Sequence, residues 1–118
     1  DTRTADEYSG KRQKEGARAA GRIPGSMNID WAEAVHFNKD MTFRSVEDLK
    51  KKYRRLPEDR EQPIIAYCHS GVRSAHTSFV LTQLLGYNQV HNYDGSWLEW
   101  STFANAPIEK DSVTSILK

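Results

Sequence analysis

The feature that most constrains the fold is a short apolar run that ends in the only cysteine of the chain and leads into a helix. Residues 63–68 (PIIAYC) indicate a strand covered on both faces, because such strands are apolar at nearly every position. Residues 74–85 carry apolar side chains at helical spacing, and Gly86 is placed to end that helix. A second strand at 90–93 precedes a helix that Ser96 is expected to cap. Strands alternating with helices over short links predict an α/β domain with a central, mostly parallel sheet flanked by helices.

The first half of the chain is less regular. Thr4 and Glu7 have the spacing of a capping box, which predicts a short helix anchored by Tyr8. Ser45 is predicted to cap a second helix over 46–53. Three further segments are predicted between these helices: a basic solvated loop at 10–22, a short strand at 27–29 and an irregular stretch at 31–40.

Composition excludes several classes of protein. The 118 residues predict one compact domain, and a formal charge of +1 excludes the basic field of a nucleic-acid-binding domain. No apolar run approaches the roughly 20 residues of a membrane span. One cysteine excludes an internal disulfide and a multi-cysteine zinc site, and His36 and His91 lack partners at metal-ligand spacing, so no metal is expected. A lone cysteine is compatible with either the cytoplasm or the periplasm.

Residues 68–74 (CHSGVRS) are the candidate site. The loop follows a strand at the edge where ligands collect in α/β sheets, and it precedes a helix N-terminus, which favours anions. Gly71 allows consecutive amides to point inward, and Arg73 adds a positive charge. Each of these effects favours the thiolate of Cys68, which is the nucleophilic form.

Loop length separates two chemistries. Cysteine-based phosphatases use Cys-x5-Arg, whereas Arg73 stands one residue earlier and Ser74 occupies the phosphatase position. The tighter ring fits a single sulfur atom on Cys68 better than a tetrahedral oxyanion. A phosphatase-like hydrolase and a non-catalytic binding module are the alternatives.

Four ordered motifs together resemble the rhodanese sulfurtransferases. They are DTR at 1–3, GRIPGS at 21–26, the loop at 68–74 and YDGSWLEW at 93–100. The insertion at 10–22 is most similar to that of the catalytic C-terminal domain of bacterial tandem-domain enzymes. The resemblance implies a rhodanese domain over 1–104 with a tail at 105–118, a five-stranded sheet whose first strand lies ahead of Asp1, and a preceding rhodanese domain.

The resemblance also implies a mechanism without metal or organic cofactor. Cys68 would take a sulfane sulfur from thiosulfate or a related small donor and pass it to cyanide or a thiol through a persulfide; 3-mercaptopyruvate is the alternative source of sulfur. The residues expected to bind substrate and stabilise the persulfide are His69, Ser70, Gly71, Val72, Arg73 and Ser74. Asp1 and Arg3 are expected to form a structural ion pair beneath the loop. The choice of donor stays open, because Arg22, Ser70 and Glu7 depart from family patterns.

Three other features are interpreted as structural. His76 is predicted to be a packed or surface residue, Trp97 and Trp100 to belong to the core, and the basic side chains of residues 50–55 to form a solvated helix face.

Overall fold

A computed structural model describes residues 1–111 of the protein. It contains a two-stranded parallel sheet, in which β1 (Ile64–Ala66) pairs with β2 (Val90–Asn92). The predicted strands are therefore confirmed with shorter bounds. The connection between them is helical, as a parallel crossover requires.

Four α-helices accompany the sheet. They are α1 (Ala5–Ser9), α2 (Val46–Lys52), α3 (Val72–Phe79) and α4 (Ser96–Trp100). A π-helix (Val80–Leu84) continues α3 toward Gly86. The predicted caps of the first two helices are confirmed, since the side chain of Thr4 accepts a hydrogen bond from the Glu7 amide and Ser45 accepts one from the Asp48 amide.

The core lies on one side of β1, where the π-helix packs against α2 and the first half of the chain. Its buried members are Ile29, Ala34, Leu49, Tyr53, Val80, Leu81, Leu85 and Tyr87. The expectation that β1 is covered on both faces is wrong for residues 1–111. Ile65 is 69% exposed, because its side chain lies over an open groove lined by Pro24, His91 and Trp100.

Two predictions for the first half of the chain are wrong. Residues 27–29 form no regular strand, since Ile29 and Trp31 donate only two backbone hydrogen bonds, to the carbonyls of Asp1 and Thr2. The stretch expected to be irregular begins with a 3-10 helix (Trp31–Ala34), because the Asp30 carboxylate accepts a hydrogen bond from the Ala32 amide.

Residues 1 and 2 connect the two halves of the fold. The Thr2 amide donates to the Tyr67 carbonyl at 2.9 Å, and the Asp1 carbonyl accepts from the Ile29 amide at 3.0 Å. These bonds on both sides are what the end of a strand would make. The strand expected ahead of Asp1 stays a prediction.

The described part of the predicted tail returns to the basic loop. Arg22 and Glu109 form an isolated antiparallel bridge, and the Arg22 guanidinium contacts the carboxylates of Glu109 at 2.8 Å and Asp111 at 3.1 Å. The rest of that prediction, residues 112–118, lies outside the described residues. No helix within residues 1–111 has the length and apolar character needed to cross a membrane.

Candidate active site

Cys68 lies at the carboxyl end of β1, and its sulfur faces the backbone of the following loop. The Gly71 amide donates to Sγ at 3.1 Å and the Ser74 hydroxyl donates to it at 3.5 Å. The residue is 1% exposed. The side chain therefore faces inward-pointing donors in the loop that leads into α3.

These donors change the ionisation of the thiol. Burial raises the pKa of Cys68, but hydrogen bonds from the Ser74 hydroxyl and from the amides of Ser74, Ser70 and Gly71 outweigh it and lower the pKa to about 7. The lowered pKa increases the fraction of the thiolate, the nucleophilic form, near neutral pH.

The loop can close around Sγ only because residue 71 is glycine. Gly71 has φ +92°, and a Cβ at this position would lie 2.7 Å from the Asp94 carbonyl oxygen. The Asn92 side-chain amide also donates to the Gly71 carbonyl at 3.1 Å. The end of β2 and the turn after it thus leave no space for a side chain at position 71 and hold the loop in its closed conformation.

Ser96 holds the other side of the loop, a role that sequence reasoning missed. It is the first residue of α4 rather than its cap, with φ +52°, and it is fully buried. Its hydroxyl accepts from the Cys68 amide at 3.0 Å and donates to the Tyr93 carbonyl at 2.8 Å. The Trp97 and Leu98 amides donate to the carbonyls of Cys68 and His69. A serine two residues after Asp94 resembles an ordinary cap in sequence, so no local signal marks this contact.

The structure corrects the expected position of Arg73. Its guanidinium makes two bonds to the Glu7 carboxylate, at 2.8 and 2.9 Å, in the paired geometry that favours Arg over Lys. The Arg73 side chain is 18% exposed and that of Glu7 is 2% exposed. Arg73 is therefore a largely buried, paired side chain, and the positive charge that the sequence assigned to the sulfur is directed at Glu7.

Glu7 is the second residue that sequence reasoning missed. Burial raises its pKa, but the bonds from Arg73 and Thr4 outweigh it and lower the pKa to about 2, so the pair is ionic at neutral pH. The capping box with Thr4 was a sufficient reason for a glutamate at position 7 of the sequence. The contact of Glu7 with Arg73 spans 66 residues, and no local sequence pattern indicates it.

His69 points away from the loop, toward residues 10–22. Its Nε2 lies 3.0 Å from the Glu15 carbonyl, and since a carbonyl only accepts, Nε2 holds the proton. Nδ1 is buried and has no hydrogen-bond partner among the described residues. Burial lowers the pKa of His69, so the ring is neutral near pH 7.

The other loop residues divide into two groups. Ser74 is fully buried against the sulfur, whereas Ser70 is exposed and the Val72 side chain is 73% exposed at the start of α3. The Ser70 amide contributes to the lowered pKa of Cys68, whereas no hydrogen bond joins Val72 to the sulfur among residues 1–111.

Asp1 and Arg3 lie beneath the site as a buried pair. The guanidinium of Arg3 contacts the Asp1 carboxylate at 2.6 Å and donates to the Gly21 carbonyl at 2.7 Å. It also lies 4.9 Å from the ring centre of Trp97, which is in the core. Its positive charge is therefore balanced within the fold.

The remaining candidates lie outside this arrangement. His76 packs edge-on against Trp31 and beside Phe43, with ring centres 5.2 and 5.3 Å away. Within residues 1–111, no three acidic, histidine or cysteine side chains lie together as possible metal ligands.

Comparison with known sequences decides the family. Residues 1–103 match the family described as "Rhodanese-like domain". The chain belongs to the rhodanese-like domain family. This confirms the resemblance carried by the four motifs, including the loop at 68–74.

Several relatives of this rhodanese-like domain are much longer. The chain is 46% identical over 118 residues to the "Putative thiosulfate sulfurtransferase" of Mycolicibacterium smegmatis, covering 95% of this chain and 42% of that protein. It is 46% identical over 116 residues to the "Sulfur carrier protein TtuD" of Thermus thermophilus, covering 93% and 40%. The chain thus spans about two-fifths of the length of these relatives.

A solved structure supports the fold. The crystal structure of the Tum1 protein from Saccharomyces cerevisiae matches with a TM-score of 0.76 at 22% identity, over 94% of this chain and 38% of that one. Residues 1–111 therefore have the rhodanese-like α/β fold.

Proposed function

We propose that this domain transfers sulfane sulfur through a persulfide on Cys68. The observation that carries the proposal is that the buried sulfur accepts a hydrogen bond from the Gly71 amide and has a pKa of about 7. The names of the two bacterial relatives, a thiosulfate sulfurtransferase and a sulfur carrier, support the same reaction class.

The first half-reaction takes up sulfur from a donor such as thiosulfate. The Cys68 thiolate attacks the outer sulfur, a new S–S bond forms on Sγ, and the bond within thiosulfate breaks with its electron pair leaving on sulfite. The product is a Cys68 persulfide anion. The amides of Ser70, Gly71 and Ser74 stabilise its negative charge, in place of a side-chain cation.

The second half-reaction returns the enzyme to its starting state. A thiophilic acceptor, cyanide or a thiolate, attacks the outer sulfur of the persulfide, and the S–S bond breaks with its electrons returning to Sγ. One cysteine is enough, because the acceptor itself removes the sulfur. With cyanide the product is thiocyanate, and no oxidant or reductant is consumed.

The position of Arg73 disfavours phosphate chemistry. A phosphate cradle needs its arginine to face the ligand, whereas this guanidinium makes both of its bonds to Glu7.

The length of the relatives also supports a proposal about the whole protein, namely that this domain forms a tandem with a preceding rhodanese domain.

Intact-mass measurement tests the proposed function. We expect thiosulfate to add one sulfur atom to the protein and cyanide to remove it, and Cys68→Ser to abolish the addition. Mercaptopyruvate in place of thiosulfate then ranks the two donors. An unchanged mass with both donors, together with hydrolysis of an aryl phosphate, would overturn the proposal in favour of a hydrolase.

A further inference from the structure

Residues 11–18 (KRQKEGAR), which we call the rim loop, concentrate positive charge on the surface. Four cations (Lys11, Arg12, Lys14 and Arg18) and one carboxylate (Glu15) give +3, so the rest of the chain, with a total of +1, has a charge of −2. All four cationic side chains are exposed, and none forms an ion pair with a carboxylate of residues 1–111.

Hydrogen bonds hold the rim loop beside the active-site loop, residues 68–74. The Glu15 carbonyl accepts from His69, the neighbour of Cys68, at 3.0 Å. The Arg18 amide donates to the Ser101 hydroxyl at 3.1 Å, and the Ala19 carbonyl accepts from the Trp97 indole at 2.8 Å. Lys14 is near enough to His69 to contribute to the lowered pKa of the imidazole, after the larger effect of burial. The backbone of the rim loop therefore borders the site, and Lys14 is the cation whose proximity to it is shown.

The buried cations near Cys68 are already neutralised. Arg73 is paired with Glu7, and Arg3 is paired with Asp1. Arg22, at the far end of the insertion, contacts two carboxylates. Among residues 1–111, the rim loop thus supplies exposed side-chain cations without a carboxylate partner beside the loop at 68–74.

We propose that the rim loop attracts anionic substrates to Cys68 by long-range electrostatics and so selects donors by charge. The inference rests on the proposed sulfur transfer and adds to it a role for the rim-loop cations in attracting its anionic donors. The four side chains are spread over eight residues, which is more than a single small donor touches at once. Their effect is on local concentration at the entrance rather than on contact, and salt weakens it.

A pair of matched variants tests the inference. Lys11→Gln/Lys14→Gln removes two charges from the rim loop, and Lys50→Gln/Lys51→Gln removes two from α2. Lys50 lines a surface pocket with Leu85 and Tyr87, which follow the π-helix, whereas Cys68 precedes α3. The two helical segments between Cys68 and Leu85 have a length of about 20 Å, so Lys50 lies at the end of this helical unit that is far from Cys68. Both substitutions are at exposed sites and leave the core intact.

The rate of Cys68 alkylation by iodoacetate, an anion, is divided by the rate with neutral iodoacetamide. The ratio cancels differences in access, because the two reagents are nearly the same size, and differences in thiol reactivity, because both react with the thiolate. At 10 mM ionic strength we expect the rim-loop variant to lower this ratio about threefold, and to lower the rate of sulfur loading from the thiosulfate dianion, which has twice the charge, about ninefold. Both effects vanish at 1 M salt, and the α2 variant changes neither.

An unchanged iodoacetate ratio in the rim-loop variant, or an equal fall in the α2 variant, would overturn the inference. The ratio of the two alkylation rates can be measured whether or not the protein transfers sulfur. A wild-type protein that never takes up sulfur but shows the threefold change would disprove the proposed function and still support attraction of anions by the rim loop.

Discussion

The active-site loop and the rim loop lie side by side but use charge in opposite ways. In the buried loop around Cys68, Arg73 is paired with Glu7, and the sulfur accepts hydrogen bonds from backbone amides and from the Ser74 hydroxyl. In the rim loop the cations are exposed and have no carboxylate partner among residues 1–111. The difference follows from solvation, because a buried charge is costly unless it is paired, whereas water stabilises an exposed one. Backbone amides and the Ser74 hydroxyl thus stabilise the thiolate, whereas the proposed attraction of anions depends on exposed side chains.

The largest effect that would test the backbone side of this comparison is expected from Gly71→Ala. The added Cβ would lie 2.7 Å from the Asp94 carbonyl oxygen at φ +92°, so the loop must open. We expect sulfur loading to fall at least about a hundredfold and the free energy of unfolding to fall by about 3 kcal/mol.

Gly86→Ala is the matched control for that variant. Gly86 has φ +78° but open space around the position of its Cβ, so the substitution costs about 1–2 kcal/mol of backbone strain and leaves sulfur loading intact. Equal losses of activity in the two variants would show that stability, not the closed loop, limits the reaction.

Arg73→Ala tests whether the buried charges are structural. It leaves the Glu7 carboxylate buried without its partner, which is expected to cost about 3 kcal/mol in urea unfolding at pH 7. Replacing both residues, as Glu7→Gln/Arg73→Gln, should restore most of the stability. A stable Arg73→Ala protein with strongly impaired sulfur loading would instead give this arginine a direct role.

The same pair predicts a pH dependence. Burial raises the pKa of Glu7, but the Arg73 bonds bring it to about 2, below its ordinary value of 4.5. A lowered acid pKa contributes stability that is present above pH 4.5 and is lost as the pH falls toward 2. We therefore expect the wild-type unfolding free energy to decline in this window more steeply than that of Glu7→Gln/Arg73→Gln.

The smallest effect is expected from Ser96→Ala, which removes the acceptor of the Cys68 amide. We expect a loss of about 1–2 kcal/mol and a pH midpoint of Cys68 alkylation that moves upward from about 7, because the loop amides lose their alignment. Ser45→Ala is the control, since it loses a helix cap of similar value, about 1 kcal/mol, outside the Cys68 loop. A midpoint that stays in place in Ser96→Ala would limit this residue to a structural role.

Local patterns were enough for the elements around the site. These patterns act within a few residues, so the strand and the helices that they predict are present. They are the apolar run before Cys68, the caps at Thr4 and Ser45, and the apolar spacing of 74–85. The prediction failed at 27–29, because pairing of an extended segment depends on what lies beside it.

The sequence by itself determined the position of the nucleophile, since Cys68 must follow the strand and precede the helix, and Gly71 must lie between them. Only the tertiary structure decided the partners of the charges. Glu7 and Arg73 are 66 residues apart, and Ser96 reaches the Cys68 amide across 28 residues. Periodicity and capping are short-range effects, whereas burial, ion pairing and alignment of amides depend on neighbours that folding alone brings together.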